Sequence, residues 1–227
     1  MEMEDNTGEF DGGAECIASM VDSGSVESRR YYMARGTLVE MLRDRGYVVP
    51  DVEAELRRSL PEFRSIFGDK PDPERLRLVA CRVSAPSRKI LAIFCETVEI
   101  RKKNMVGILS QIMNKEQLDR VILVLQSKMN SHAQKVLDEY PIKVETFQIT
   151  GLLVNITTHF LGPKFMILTP MEKEKLLKKY SIKDKQLPKM SENDAIARYY
   201  GLEKGQVVMV IYSGGLTDSL VTYRCIQ

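Results

Sequence analysis

The residues that come closest to a catalytic set are three charged side chains near the end of one predicted strand. The run KILAIFCE (89–96) has strand character, and Glu96, Glu99 and Lys102 lie at its end or just beyond it. A nuclease-like site would place an acidic residue and a Glu-x-Lys pair there to hold a divalent ion. That pair must be two residues apart to share one face of a strand, whereas Glu99 and Lys102 are three apart. The spacing favours solvated charges, and a nuclease-like α/β enzyme is kept as an alternative.

The other residue types that do chemistry form no familiar motif. The chain has two histidines, His132 and His159, and no HxH, HExxH or Cys/His cluster. It also lacks a phosphate loop and a GxSxG elbow. No two of its four cysteines have CxxC spacing, and widely separated cysteines of this kind are typical of reduced thiols in an intracellular protein. The sequence therefore predicts no catalytic residue, no metal site and no cofactor.

Charge is distributed unevenly along the 227 residues, although the net charge is only +2. Residues 1–28 contain eight acidic side chains and no Lys or Arg, so they are predicted to be a disordered acidic tail. The remainder carries 33 basic and 23 acidic residues. This mildly basic body permits DNA contact without requiring it, and a free DNA-binding module is a second alternative. No apolar stretch is long enough to span a membrane.

Residues 29–153 are predicted to form an α/β domain with a mixed sheet, because strand-like and helix-like runs alternate there. A helix is expected up to Gly46 and a second helix over 51–59. The predicted strands are 75–83, 89–96, 120–126 and 142–149, and the predicted intervening helices are 102–114 and 130–139.

Residues 154–227 are predicted to form a small α+β domain that folds alone. Thr169, Pro170 and Glu172 have the spacing of a capping box with proline at the first helical position. A second short helix is expected to end at Gly201 in the left-handed conformation. A strand entered through Gly205 and a last strand are expected to pair through a turn at 214–218.

The residues also resemble a known family. The segment NDAIARYYGLEKGQVVMVI, with VTYR after it, resembles the C-terminal signature of the fifth, shared subunit of eukaryotic nuclear RNA polymerases and of its smaller archaeal homologue. The stretches LLVNITTHFLGPKFMILTPMEKEKLLKKY and KDKQLPKM precede it in the family's order. The N-terminal runs MLRDRGYVV, FRSIFGDKPDPERL, VILVLQ and VETFQI are similar to the eukaryotic subunit, so the resemblance covers about 29–227.

The resemblance implies an N-terminal α/β jaw domain near downstream DNA and a C-terminal α+β assembly domain. It implies a non-catalytic subunit in the nucleus, with the largest polymerase subunit and other subunits as partners. Arg43, Arg45 and Lys128 are the candidates for lying close to DNA. The signature positions expected to bind the largest subunit are His159, Pro163, Lys164, Arg198, Tyr199, Gly201, Leu202, Gly205, Gln206, Val207, Tyr223 and Arg224.

Departures from the family pattern cluster near the C-terminus. Met209, Tyr212, Asp218 and Ser219 stand at positions where the shared family member carries other residues, several of them basic, and Phe165 replaces a histidine. This pattern is similar to the variant subunit of plant RNA polymerase V, which transcribes for RNA-directed DNA methylation and gene silencing. Met209, Tyr212, Asp218 and Ser219 are therefore the predicted determinants of which polymerase the chain joins.

Overall fold

The computed structural model describes residues 24–159, 162–214 and 217–227. Most of the predicted acidic tail, residues 1–23, lies outside the described residues. The first helix, α1 (Val26–Asp44), begins inside the segment predicted to be disordered. Its N-terminus forms there because the Ser25 side chain accepts hydrogen bonds from the backbone N–H groups of Glu27 and Ser28.

The N-terminal sheet has five strands and is mixed, as predicted. The strands are β1 (Tyr47–Val48), β2 (Leu78–Arg82), β3 (Ala85–Phe94), β4 (Leu118–Leu125) and β5 (Lys143–Gln148). They lie in sequence order, with β1–β2–β3 antiparallel and β3–β4–β5 parallel. The predicted strand ends differ from the observed ones by one to four residues, and the two largest differences are that Pro73–Leu76 forms a short 3₁₀ turn ahead of β2 and that β3 begins at Ala85, within the predicted loop.

Helices cover the two faces of this sheet differently. The parallel strands need crossover helices, which are α4 (Lys102–Ser110) and α5 (Ser131–Asp138). Both pack on the face that carries Ile93 and Leu123. The opposite face, which carries Ile90 and Ile122, packs against α1. Two shorter helices follow α1 along the chain, α2 (Val52–Arg57) and α3 (Leu60–Phe67).

The C-terminal region has a four-stranded sheet in the order β6–β8–β9–β7. Its strands are β6 (Lys164–Ile167), β7 (Lys189–Met190), β8 (Val207–Gly214) and β9 (Thr217–Ile226), and its helices are α6 (Pro170–Tyr180) and α7 (Ala195–Tyr200). The predicted capping box at Thr169 and Glu172 is confirmed, as is the left-handed Gly201 (φ 63°) that ends α7. The edge strands β6 and β7 were not predicted.

Candidate docking surface

The two faces of the C-terminal sheet are covered by different helices, each over only part of its face. On one face, Val208 and Val210 are buried against Ala197 of α7. On the other face, Val207 and Cys225 are buried against Leu176 of α6. The side chains alternate between the faces because β8 is regular from Val207 to Tyr212.

An apolar patch continues beyond α6 on that second face. Strand register places Met166, Met209 and Tyr223 side by side on β6, β8 and β9, with Ile211 and Val221 paired in the next row of that face. Met166 is 53% exposed and Val221 is 40% exposed, and the other three are partly exposed. We call these five residues the docking patch. A contiguous apolar area of this kind on three neighbouring strands is typical of a protein–protein contact.

The position of α6 leaves the docking patch open. The Lys173 ammonium donates a 2.8 Å hydrogen bond to the carbonyl oxygen of Gly205 and pairs with the Asp184 carboxylate. Gly205 lies in the turn that leads into β8, so this contact fixes α6 at the start of the strand. The far half of the face therefore has no helix over it among the described residues.

The described residues show no arrangement suited to catalysis. No group of three His, Cys, Asp or Glu side chains among them is placed to hold a metal ion. Burial raises the pKa of the Cys95 thiol to about 12, so it stays protonated at neutral pH. Glu96, Glu99 and Lys102 are exposed, as predicted for solvated charges, and Glu99 accepts a 3.0 Å hydrogen bond from Arg101. No helix in the described part of the chain is both long and apolar enough to cross a membrane.

The two sheets are joined through the C-terminal end of α7. Arg45 donates to the backbone carbonyl oxygens of Tyr199 (2.7 Å) and Arg198 (2.6 Å) and pairs with Glu145 at 2.8 Å. Arg120 donates to the carbonyl oxygen of Gly201 at 3.0 Å. Cations are favourable at this position because the last carbonyl groups of a helix are unpaired and partly negative. We call this contact region the joint.

Glu145 lies at the centre of the joint, between Arg45 (2.8 Å) and Arg120 (2.7 Å). Burial alone would raise the pKa of Glu145, but attraction to the two guanidinium groups outweighs burial and holds that pKa below its ordinary value. Arg120 also pairs at 2.6 Å with Glu203, in the turn between α7 and β8, so charges from both regions of the chain form one network.

Tyr199 shows how closely the two regions pack. Its side chain is 4% exposed and belongs to the same core as α1 of the N-terminal region. The hydroxyl donates to Asp44 at 2.8 Å and accepts from Asn155 at 3.1 Å. Burial, and then the hydrogen bond to Asp44, are among the causes that raise its pKa far above the ordinary value for tyrosine. The prediction that residues 154–227 fold alone did not take these contacts with the N-terminal region into account.

The signature residues lie in several places rather than on one surface. The side chains of Tyr199, Leu202 and Val207 are buried, and Gly201 and Gly205 (φ 85°) take left-handed conformations in turns. The others are His159, Lys164, Arg198 and Gln206, which are exposed, and Pro163, Tyr223 and Arg224, which are partly exposed. Among the twelve, Tyr223 alone belongs to the docking patch as defined. That these residues bind a partner subunit stays a prediction, and for the buried ones the role shown is in building the fold.

The four predicted selectivity residues do not share one face. Met209 lies in the docking patch, whereas Tyr212, three residues later on a regular strand, points to the opposite face and is paired with Leu220. Asp218 and Ser219 lie on β9, but their side chains lie outside what the structure describes.

The three basic residues predicted to lie near DNA are also separated. Arg45 is occupied in the joint with a side chain only 3% exposed, which leaves no accessible surface for phosphate. Arg43 is 51% exposed near the end of α1, and Lys128 is exposed after β4. Gln126, two residues before Lys128, donates a hydrogen bond to the Tyr31 hydroxyl, and Arg43 lies twelve positions after Tyr31 on α1, about 18 Å along the helix axis. The structure therefore does not gather the three into one basic site.

Sequence reasoning missed most of the docking patch and the joint. Met166, Ile211 and Val221 were not singled out, although the continuous apolar run over residues 207–212 is typical of a strand with apolar side chains on both faces. Arg120 and Glu145 lie in strands whose pattern shows burial but not the identity of distant partners. Their roles depend on contacts 81 and 100 residues away in the chain.

Comparison with known proteins matches both regions to one family. Residues 25–112 match the N-terminal domain of RNA polymerase Rpb5, and residues 154–226 match its C-terminal domain. The DNA-directed RNA polymerase V subunit 5C of Arabidopsis thaliana is 52% identical over 217 residues, which cover 96% of this chain and 92% of the relative.

Two further relatives are more distant. The subunit 5B of RNA polymerases IV and V from Arabidopsis thaliana is 45% identical, over 93% of this chain and 96% of the relative. The subunit RPABC1 of RNA polymerases I, II and III from Caenorhabditis elegans is 33% identical, over 88% of this chain and 97% of the relative. The chain therefore belongs to the RNA polymerase Rpb5 family.

Proposed function

We propose that this chain is a non-catalytic subunit of a nuclear DNA-directed RNA polymerase and docks on the largest subunit through the docking patch. The observation that carries the assignment is similarity over nearly the whole chain to subunits of multisubunit RNA polymerases. The nuclease-like enzyme and the free DNA-binding module are not favoured by these relatives. The nucleus is the expected compartment.

The polymerase is proposed to be of the RNA polymerase V class. The relative named for RNA polymerase V is 52% identical, against 33% for the relative shared by polymerases I, II and III. In this class the chain would take part in transcription for RNA-directed DNA methylation. Placement of the N-terminal domain near downstream DNA also remains a proposal, with Arg43 and Lys128 as its exposed basic candidates.

Isolation of the tagged full-length chain from native plant nuclear extract tests the assignment. Mass spectrometry should find stoichiometric polymerase subunits, with the largest subunit of RNA polymerase V enriched over those of polymerases I, II and III. Recovery of the chain alone, at its own mass of 25.9 kDa, would contradict the assignment. Equal recovery of all the largest subunits would keep the subunit role and refute the class.

A further inference from the structure

One half of a face of the N-terminal sheet has no helix over it in the described structure. Crossover helices α4 and α5 lie over β3, β4 and β5, since right-handed crossovers between adjacent parallel strands place them there. Strands β1 and β2 are joined to the sheet in antiparallel fashion and bring no crossover helix. Helix α1 packs on the opposite face.

An apolar groove of about 340 Å³ runs between this bare half and α4. Its apolar lining includes Val79 and Leu91 from the sheet, Ile108 from α4, and Met113 just beyond that helix. Val79 is 47% exposed and Met113 is 83% exposed. We call this feature the sheet groove. So much exposed apolar surface marks a place where another segment can bind.

The charged side chains that line the sheet groove are both cationic. They are Arg77 and Lys89, and no carboxylate lines it. The Lys89 ammonium donates to the Gln117 side-chain oxygen at 3.0 Å, and no ion pair with a carboxylate is found for it in the described residues. Arg77 has a long 3.4 Å contact with Glu74. An apolar floor with a cationic rim is complementary to an acidic segment that also carries apolar side chains.

The chain itself contains such a segment. Residues 1–23 hold seven Asp and Glu side chains, no Lys or Arg, and apolar side chains that include Phe10, Ile17 and Met20. Twenty-three extended residues reach up to ~75 Å, whereas a domain of about 125 residues is only ~35 Å across. The segment is thus long enough to reach any part of the N-terminal domain from Gly24.

We propose that the acidic N-terminal segment 1–23 docks in the sheet groove of its own chain. Its apolar side chains cover Val79, Leu91 and Met113, and its carboxylates lie near Lys89 and Arg77. Docked there, it keeps other apolar partners off this face of the N-terminal domain. The proposal does not depend on the polymerase assignment.

Disulfide trapping in the full-length chain tests the proposal, because Cys16 lies within the segment. One variant carries Met113→Cys in the groove, and a matched control carries Arg57→Cys on α2. Both native residues are largely exposed, Met113 at 83% for the whole residue and Arg57 at 82% for its side chain, so neither change should disturb folding. Dilute protein is oxidised with copper phenanthroline, and peptide mapping distinguishes the 16–113 and 16–57 bonds from bonds to the other cysteines.

We expect the 16–113 bond to form at least about tenfold faster than the 16–57 bond. The shorter chain separation of the control would favour the opposite order in a freely moving segment. Adding Lys89→Glu, or raising salt to ~1 M, where the screening length falls to about 3 Å, should reduce the difference severalfold. Equal rates for the two bonds, or bonds formed chiefly between two chains, would overturn the proposal, as would a rate unaffected by both Lys89→Glu and salt.

Discussion

Replacement of Arg45 by methionine is the sharpest perturbation of the joint between the two sheets. Methionine keeps much of the apolar stem but removes the guanidinium group. That group makes two hydrogen bonds to carbonyl oxygens of α7, at 2.7 and 2.6 Å, and an ion pair with Glu145 at 2.8 Å. The Arg45 side chain is 3% exposed, so water does not readily replace these contacts.

The expected cost follows from what is left unpaired. Removing one partner of a buried ion pair typically costs about 3–5 kcal/mol. Here Arg120 remains 2.7 Å from Glu145, which keeps part of the compensation. The two carbonyl groups of α7 lose a charged donor, and hydrogen bonds to charged groups contribute about 1.5–3 kcal/mol each without being additive. We expect the free energy of unfolding of Arg45→Met to fall by about 3 kcal/mol.

Urea unfolding of the full-length chain measures this loss, with Arg57→Met as the control. Arg57 forms an exposed pair with Glu53 at 3.3 Å, and exposed pairs of this kind are worth at most about 1 kcal/mol. If Arg45→Met cost less than about 1 kcal/mol, or no more than the control, the joint would not be the energetic link between the sheets that its geometry indicates.

Three further outcomes are expected. Gly201→Val should destabilise the chain by at least ~1–2 kcal/mol in urea unfolding, because valine is strained at φ 63° and its Cβ would lie 3.0 Å from guanidinium atoms of Arg45 and Arg120. A variant as stable as wild type would refute this. Because its pKa is lowered in the folded state, Glu145 stabilises the fold fully above the unfolded-state pKa of 4.5 and progressively less as pH falls through the folded-state pKa. Glu145→Gln should therefore flatten the dependence of the free energy of unfolding on pH below 4.5, and an unchanged dependence would count against this. Met209→Lys should weaken binding of the largest subunit by about tenfold in quantitative pull-downs, which corresponds to 1.4 kcal/mol, whereas Tyr212→Arg, on the opposite face, should change binding less than twofold. Equal effects of the two variants would contradict docking through the face that carries Met209.

Local signals in the sequence predicted several elements well. The capping box at Thr169 and the glycine that ends α7 depend on residues within one helical turn, so they can be read directly from spacing. The apolar run of β4 is buried on both faces because it is the central strand of a parallel unit. Strand β7 was missed because two residues carry no periodicity, and β6 because it lies between two prolines.

The candidate site was harder to predict because it depends on distant contacts. Arg45 has the appearance of an ordinary helix-end cation, and only the folded chain brings it to Tyr199, 154 residues away. The family signature marked Tyr199 and Val207 as partner-binding residues, whereas both are buried within the chain. A family signature records which residues are needed. It does not separate the buried residues that stabilise the fold from the exposed residues that contact a partner.

A single pair of variants tests the docking patch most directly. Met166 (53% exposed) lies in the patch, and Met171 (68% exposed) lies on α6 outside it, so Met166→Asp and Met171→Asp place the same charge at exposed methionines of the same region. The measurement is the amount of largest polymerase subunit recovered with each tagged full-length variant from native extract. We expect Met166→Asp to recover about tenfold less than wild type, which corresponds to 1.4 kcal/mol, and Met171→Asp to match wild type. Equal recovery with both variants would contradict docking through this face of the C-terminal sheet.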